Sequence, residues 1–232
     1  MINLLEGSNP SPSATFERAA GATALSDNDP AATLLELGAA TIGESGGHAM
    51  RARIRAAWPG ATLAAPAYPV RCTPGDNLAI HVAVAEAPAG SVLVVDVGDR
   101  PELGYWGEVL TTGAQARGLA GLVIDGGVRD VAALQAHAFP VFSTMIALRG
   151  ATKNQAGAVG SSARVGDIDV HAGDWIVADG DGVAVVRGAE LDPVITAGRA
   201  RAAKEVGFFT ALRAGRTTME LLDLDGAPVT RG

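Results

Sequence analysis

The sequence predicts an α/β protein, specifically a compact β/β/α sandwich with an irregular N-terminal arm. Between residues 91 and 144, three short apolar runs alternate with helix-length segments, which is typical of parallel strands covered by helices. Between residues 163 and 186, short apolar runs are separated by Gly/Asp turns, which favours antiparallel hairpins. Residues 1–28 are rich in Ser, Pro, Asn and Gly. We therefore expect a flexible arm there and a single domain over residues 29–232.

Local signals place the individual elements. After residue 29 we expect two short helices separated at 43–47, then an extended segment over 61–72 that two prolines interrupt. A helix over 77–87 follows the Pro74-Gly75-Asp76 turn and stops before Pro88. The other predictions are strands at 91–97, 120–124, 140–144, 163–170, 175–178 and 183–186, and helices at 107–117, 130–138 and 191–214.

Composition excludes several classes of protein. Of 232 residues, 48% are hydrophobic and 19% charged, which indicates a globular chain. The formal charge is −7 and the basic residues form no stripe, so nucleic acid is not expected as a direct ligand. The single cysteine, Cys72, excludes an internal disulfide and fits a reducing compartment. With no signal-peptide pattern and no long apolar run, we expect a cytoplasmic protein without a membrane span.

Three charged residues stand where two predicted helices begin. Glu108 lies in the first turn of one helix, and Arg129-Asp130 follow a buried strand where the next helix starts. Taken singly, Glu108 fits the helix macrodipole and Asp130 is an ordinary N-cap. Both helices, however, begin at the same end of adjacent parallel strands, where open α/β sheets bind ligands. This conjunction predicts a functional site.

The residue types in this group suit a 2-oxo acid and a divalent cation. Free helix-start amides of Gly107, Glu108, Val109 and Leu110 can hold a carboxylate. Arg129 supplies a permanently charged donor fork for a keto or enolate oxygen. Asp130 and Glu108 offer hard oxygen ligands of the kind that Mg²⁺ or Mn²⁺ prefers. The pattern therefore indicates a metal-dependent lyase acting on pyruvate-type substrates.

Other chemistries lack their signals. The four histidines do not have zinc-ligand spacing. His81 follows Asn77 by one helical turn, so both can face one cleft, although a packing role for His81 is favoured. Lys153 lies in a polar loop and Lys204 in a charged helix, and neither resembles a desolvated Schiff-base lysine. The acidic segment at 179–182 is interpreted as a tight hairpin turn and not as a calcium loop.

Four segments resemble a known family. They are PGDNLAIHVAVAEAPAGSVLVVD at 74–96, WGEVLTTGAQARGLAGLVIDGGVRD at 106–130, FPVF at 139–142 and HAGDWIVADGDGVAVV at 171–186. Together they resemble the RraA-like family, which includes 4-hydroxy-4-methyl-2-oxoglutarate/4-carboxy-4-hydroxy-2-oxoadipate aldolases. The resemblance implies a swivelling β/β/α sandwich and a homotrimer or homohexamer with sites at subunit interfaces.

The resemblance also implies residue roles. The aldolase branch has an acid, twenty intervening residues and then Arg-Asp, which corresponds here to Glu108, Arg129 and Asp130. By this resemblance Asp130 binds the metal directly, Glu108 holds a metal-bound water, and Arg129 contacts the keto oxygen. The first position is often Asp in the aldolases, so Glu108 is a departure. Amides of the segment 107–110 would bind the C1 carboxylate, and Glu205 would reach the site of a neighbouring subunit. A metal-bound hydroxide, or a water positioned by Glu108 or Glu205, would remove the C4-hydroxyl proton.

The implied reaction is retro-aldol cleavage of a 4-hydroxy-2-oxo diacid to pyruvate and a second oxo acid. Oxaloacetate decarboxylation is the expected side activity, because both reactions pass through pyruvate enolate. Two alternatives stay open. One is a non-catalytic RraA-type regulator that binds a ribonuclease or helicase partner, although that branch typically lacks the Asp that this chain has at Asp130. The other is a related lyase acting on a different 2-oxo acid.

Overall fold

The structure, a computed structural model, describes residues 29–230, so the predicted arm over 1–28 lies outside the described residues. The helices of the described chain are α1 (Pro30–Glu44), α2 (Leu78–Glu86), α3 (Glu108–Ala116), α4 (Val131–Ala136), α5 (Leu191–Arg213) and α6 (Thr218–Leu221). The strands are β1 (His48–Ala49), β2 (Arg55–Ala56), β3 (Leu63–Cys72), β4 (Val92–Asp96), β5 (Gly104–Trp106), β6 (Gly121–Val128), β7 (Val141–Ile146), β8 (Gly157–Val159), β9 (Ser162–Val165), β10 (Ile168–His171), β11 (Trp175–Asp179) and β12 (Gly182–Val186). Nothing among these helices is both long and apolar enough to cross a membrane.

A mixed sheet forms the centre of the molecule. Its strands follow the order β1-β12-β11-β3-β4-β6-β7-β2, with β5 paired to β6 and β8 paired to β3. Strands β3, β4, β6 and β7 run parallel to one another, whereas β11, β12, β1 and β2 pair antiparallel with their neighbours. Because α3 and α4 both follow strands of the parallel part, they begin at the same edge of the sheet. The predicted placement of the two helix starts is therefore confirmed.

The two faces of the sheet bury different partners. Along β4, Leu93 and Val95 pack in one core with residues of α2, α3 and α4. The alternate residues Val92 and Val94 pack in a second core with apolar residues of β9 and β10, which form a separate hairpin. This alternation follows from the two-residue period of a strand. All four side chains are fully buried, as expected for a parallel strand covered on both faces.

A third apolar cluster lies beyond the antiparallel end of the sheet. Leu34 and Ile42 of α1 and Val194 and Ile195 of α5 pack there against residues of β11 and β12. Helices, sheet and hairpin thus form the layered β/β/α arrangement that the sequence predicted.

The prediction of a second helix near residues 48–58 is wrong. Helix α1 bends at Gly38, whose φ of 77° is not helical, and ends at Glu44. The chain then pairs with sheet edges, because His48–Ala49 lies beside β12 and Arg55–Ala56 beside β7. The apolar spacing of this segment suited a helix, but the open edges of two strands provide its backbone groups with partners instead.

The prediction of one strand over 163–170 is also wrong. The chain reverses at Gly166-Asp167 and forms β9 and β10. Two contacts hold the turn: the Arg51 N–H donates to the Gly166 carbonyl at 3.0 Å, and the Gly166 N–H donates to Asp125 Oδ2 at 3.0 Å. Both partners are distant in sequence, so the local pattern did not reveal the reversal.

The tight turn predicted at 179–182 is confirmed, because Asp179 and Gly182 are the last paired residues of β11 and β12. Asp179 Oδ2 also accepts the Ala39 N–H at 2.8 Å, the amide that follows the bend in α1. Asp179→Ala should therefore lower the free energy of unfolding by about 1–2 kcal/mol, since it removes a cap. Asp181→Ala, whose exposed carboxylate has no hydrogen bond in the described chain, is the matched control. Equal losses in urea denaturation would contradict this account.

Candidate active site

A pocket of about 190 Å³ lies where β5 and β6 end and α3 and α4 begin. Its lining comes from four parts of the chain that meet at this edge of the sheet. The lining residues are Asn77, His81, Gly104, Tyr105, Trp106, Gly107, Val109, Leu110, Arg129, Asp130, Gly150, Ala151 and Lys153. Of the residues predicted from the sequence, Gly107, Val109, Leu110, Arg129 and Asp130 are thus brought together.

Asp130 joins the two helix starts. Its backbone is left-handed, with φ 57°, and it precedes α4. Its Oδ2 accepts the Glu108 N–H at 3.1 Å, so it caps α3 as well as preceding α4. A Cβ atom on Gly107 would lie 2.3 Å from that Oδ2. The absence of a side chain at Gly107 is therefore what allows the carboxylate to lie against the start of α3.

Arg129 is held by its backbone and its aliphatic stem. Its N–H donates to the Trp106 carbonyl at 2.9 Å. Its Cγ and Cδ lie close to Gly104 and Gly107, where added Cβ atoms would approach to 3.1 Å. The Arg129 side chain is 44% exposed, and its Nε lies 3.7 Å from Asp130 Oδ2. Arg129 thus presents a fixed cation beside a carboxylate at the pocket wall.

Trp106 holds the junction between β5 and α3 in place from the core side. It is fully buried, and its ring stacks on Phe139 with centroids 5.9 Å apart. Its indole N–H donates to Thr111 Oγ1 at 2.7 Å, which ties the strand to the first turns of α3. This packing keeps Gly107 and the α3 amides in place.

Glu108 directs its side chain away from the pocket lining. Its Oε1 lies 3.5 Å from His137 Nε2, at the end of α4. Gln115 holds that histidine, because its Nε2 donates to the His137 carbonyl at 2.8 Å and its Oε1 lies 2.9 Å from His137 Nδ1. The predicted role of Glu108 in holding a metal-bound water is therefore not displayed in this rotamer, and it stays a prediction.

Only some of the N–H groups in the first turn of α3 are free to bind a ligand. The Glu108 N–H is engaged by Asp130. The Val109 and Leu110 N–H groups precede the first carbonyl partners of the helix and have no partner in the described chain. Any carboxylate bound here would therefore use Val109 and Leu110.

Glu205 is not brought to the pocket within one chain. It lies on α5, where its Oε1 is 3.0 Å from Arg201 Nε, and Arg201 also pairs with Glu44 of α1. No residue of α5 lines the pocket of the described chain. The proposed contribution of Glu205 to a neighbouring subunit's site stays a prediction.

Three further residues complete the pocket: Asn77, His81 and Lys153. The helical spacing of Asn77 and His81 had allowed a shared cleft. Lys153 was not expected, because it belongs to a loop that returns to α2 from far along the chain. Burial lowers the pKa of His81 below its ordinary value, and the positive charge of Lys153 lowers it further. The imidazole is therefore neutral near pH 7.

Asp76 holds that loop against α2. It is 2% exposed, and its carboxylate accepts hydrogen bonds from the Leu78 N–H at 2.8 Å, the Thr152 hydroxyl at 2.7 Å and the Asn154 N–H at 2.7 Å. Burial alone would raise the pKa of Asp76, but these donors outweigh burial and lower it. The charged form of Asp76 thus positions Lys153 in the wall.

The donor set fits a loosely coordinated Mg²⁺ or Mn²⁺. Asp130 is 41% exposed at its side chain, and its Oδ1 has no partner among residues 29–230. Within the same residues no three His, Cys, Asp or Glu side chains form a ready-made metal cluster. Mg²⁺ commonly binds through one or two carboxylates while it keeps several waters and takes substrate oxygens. Asp130 would supply the protein ligand of such a site.

The close approach of Asp130 to Gly107 gives a test on one helix. Gly107→Ala should lower the melting temperature, because the new methyl group overlaps Asp130 Oδ2 and breaks the cap on Glu108. Gly113→Ala, also on α3, should raise it, since its Cβ makes an ordinary 3.5 Å contact with Val84 and the helix loses a glycine. Changes of opposite sign in the two melting temperatures would support the close contact between Gly107 and Asp130. An unchanged melting temperature in Gly107→Ala would contradict it.

Comparison with known proteins shows the family of the chain. Residues 23–185 match the RraA-like family, described as Aldolase/RraA. A protein of Halalkalibacterium halodurans named "Putative 4-hydroxy-4-methyl-2-oxoglutarate aldolase" is 33% identical over 130 residues, which cover 56% of this chain and 62% of that protein. The chain thus spans less than two thirds of that relative's length.

Two solved structures have the same fold. An uncharacterized protein from Pseudomonas syringae superposes with a TM-score of 0.68 at 27% identity, covering 83% of this chain and 92% of that one. The RNA-processing inhibitor RraA from Thermus thermophilis gives 0.56 at 26% identity, covering 61% and 85%. With more than half of its length matched by the family, the chain belongs to the RraA-like family.

Proposed function

We propose that this protein is a divalent-metal-dependent aldolase that cleaves a 4-hydroxy-2-oxo diacid to pyruvate and a second oxo acid. The observation that carries the proposal is the meeting of Asp130, Arg129 and the free Val109 and Leu110 amides at one pocket. A pyruvate unit needs all three: a carboxylate site, a cation for its keto oxygen and a hard ligand for a metal. The similarity to a protein named as such an aldolase supports the same reaction class.

Each residue has a separate task in this proposal. The Val109 and Leu110 N–H groups bind the C1 carboxylate at the positive end of α3. Arg129 donates to the keto oxygen and stabilises the negative charge that develops there when the C3–C4 bond breaks. Asp130 would hold an Mg²⁺ or Mn²⁺, which would supply Lewis-acid stabilisation of the developing negative charge. Lys153, which also lines the pocket, offers a cation for the second acid group.

The same residues account for the proposed oxaloacetate decarboxylase activity. Loss of CO₂ from oxaloacetate also leaves pyruvate enolate, so Arg129 serves an identical intermediate.

We further propose that the protein is a homotrimer or homohexamer whose sites are completed by a neighbour. Val109 and Leu148 are 81% and 85% exposed, and Val206 and Phe209 on α5 are 64% and 49% exposed. Val206 and Phe209 are three residues apart on α5 and so lie on one helix face, and contiguous exposed apolar side chains are typical of surfaces that another chain covers. Closed symmetry would bring α5 of one copy, with Glu205, to the site of the next.

A second candidate function is a non-catalytic RraA-type regulator that binds a ribonuclease or helicase. The observation in its favour is the structural similarity to the Thermus RNA-processing inhibitor. Asp130 favours the enzyme, because its free oxygen lies in the pocket beside Arg129 and the start of α3, where it can bind a metal. A lyase acting on another 2-oxo acid would use the same pyruvate half.

Metal removal and Asp130→Asn test the activity. Pyruvate release from 4-hydroxy-4-methyl-2-oxoglutarate, followed by a coupled dehydrogenase assay, should stop with EDTA and return with Mg²⁺ or Mn²⁺. Asp130→Asn should lower kcat/KM by about 10²-fold or more, because a neutral amide binds Mg²⁺ weakly. Asp181→Asn, an exposed acid outside the pocket, is the matched control and should keep activity. Turnover that persists in EDTA and in Asp130→Asn would overturn the proposal.

Subunit mixing tests the shared site. Asp130→Asn and Glu205→Gln proteins should each have strongly reduced activity alone. After joint refolding the mixture should recover part of the activity, since some interfaces then combine an intact Asp130 with an intact Glu205. No recovery in a mixed oligomer confirmed by native mass spectrometry, or a fully active monomer in light scattering, would contradict this arrangement.

A further inference from the structure

Two buried polar atoms on one helix face of the pocket lack partners. Among the buried side-chain nitrogen and oxygen atoms of the described chain, Asn77 Oδ1 and His81 Nε2 have no hydrogen-bond partner. Both residues line the pocket, one helical turn apart at the start of α2. Buried polar groups are normally paired, so such a pair at a pocket wall points to a ligand that supplies the missing partners.

The orientation of Asn77 is fixed by its other amide atom. Its Nδ2 donates to the Tyr105 carbonyl at 2.8 Å, so the amide oxygen and not the nitrogen is the unpaired atom. Asn77 is 4% exposed and therefore rigid. The unpaired Asn77 Oδ1 is therefore an acceptor without a donor, and a ligand hydroxyl can provide that donor.

The imidazole of His81 is in a state to accept a proton. It is partly buried, and its pKa lies below the ordinary value because of burial and of Lys153, with Asp76 acting weakly in the opposite direction. The other charged residues that line the pocket are Arg129 and Asp130. Within one chain the Glu108 carboxylate lies at His137 and Glu205 lies at Arg201, so His81 is the neutral acceptor that the chain itself places in this pocket.

We propose that His81 is the base that removes the proton of the C4 hydroxyl, with Asn77 as the neighbouring acceptor that positions the ligand on this wall. The inference rests on the proposed aldolase function and names a residue for the step which that function leaves open.

The step balances without an added reactant. The O–H bond of the C4 hydroxyl breaks, and its proton passes to the lone pair on Nε2 of His81. The oxygen electrons form the C=O bond of the released oxo acid as the C3–C4 bond breaks, and the electron pair of that bond moves into the enolate beside Arg129. Water then protonates C3 to give pyruvate, and the imidazolium returns its proton to solvent.

Comparing two substrates isolates this role. Cleavage of 4-hydroxy-4-methyl-2-oxoglutarate requires removal of a hydroxyl proton, whereas decarboxylation of oxaloacetate does not, although both need the enolate site. In His81→Gln, measured at saturating Mg²⁺, kcat for cleavage should fall by about 10²-fold or more. Decarboxylation should stay within about threefold of the wild type. His171→Gln, an exposed histidine on β10, is the matched control and should keep both activities.

A pH profile of the unmodified protein gives a second readout that does not depend on how the variant folds. Cleavage should fall as the pH drops through a pKa below 6.5, the ordinary histidine value, because protonated His81 cannot accept the proton. The ratio of cleavage to decarboxylation should fall with it, since decarboxylation does not need this base.

The outcomes separate the two proposals. Retained cleavage in His81→Gln, a parallel loss of both activities in a folded variant, or a pH-independent ratio would overturn the role of His81 and leave the aldolase function standing. A wild-type protein that releases pyruvate from neither substrate would overturn the aldolase function, and the role of His81 with it.

Discussion

The carboxylate of Asp130 connects the two helices that begin at the active edge of the sheet, and the pocket depends on that connection. Its Oδ2 accepts the Glu108 N–H across 22 residues of sequence, from a left-handed backbone that brings Asp130 towards α3. The contact exists only because Gly107 has no side chain. The Oδ1 atom of Asp130 stays without a partner in the described chain, and so do the N–H groups of Val109 and Leu110. One hydrogen bond thus organises both the hard ligand and the carboxylate site.

The charge distribution around this contact explains how an acidic chain can bind an acidic substrate. The formal charge of the whole chain is −7, which opposes the approach of a diacid. At the pocket, however, the two cations Arg129 and Lys153 outnumber the one lining carboxylate, Asp130, and the first turn of α3 adds its positive end. The buried Asp76 has its charge satisfied by hydrogen bonds from Thr152 and Asn154, on either side of Lys153. The local field therefore favours anions although the net charge does not.

The sequence predicted well those elements that depend on the local pattern of apolar residues. The alternating apolar runs between 91 and 144 gave the parallel strands and both helix starts, and so placed Gly107, Val109, Leu110, Arg129 and Asp130 at one edge. Two elements failed, because the edges of β7 and β12 captured the segment predicted as a second helix, and a distant carboxylate stabilised the turn that divides β9 from β10. Such partners are tertiary, and no window of the sequence contains them.

The directions of side chains could not be predicted from the sequence either. The spacing placed Glu108 correctly on α3 but did not reveal His137, which draws its carboxylate away from the pocket. Nor did the sequence place Lys153, since its position depends on the hydrogen bonds between Asp76 and the returning loop.

The most direct test of the central claim is the binding of oxalate, a planar dianion that resembles pyruvate enolate, measured by isothermal titration calorimetry. The account predicts that oxalate binds one site per chain in the presence of Mg²⁺, and that binding is abolished without the metal and strongly weakened in Arg129→Ala. Oxalate binding of equal affinity with and without Mg²⁺, or no binding under either condition, would contradict the claim that Asp130, Arg129 and the start of α3 form one enolate site.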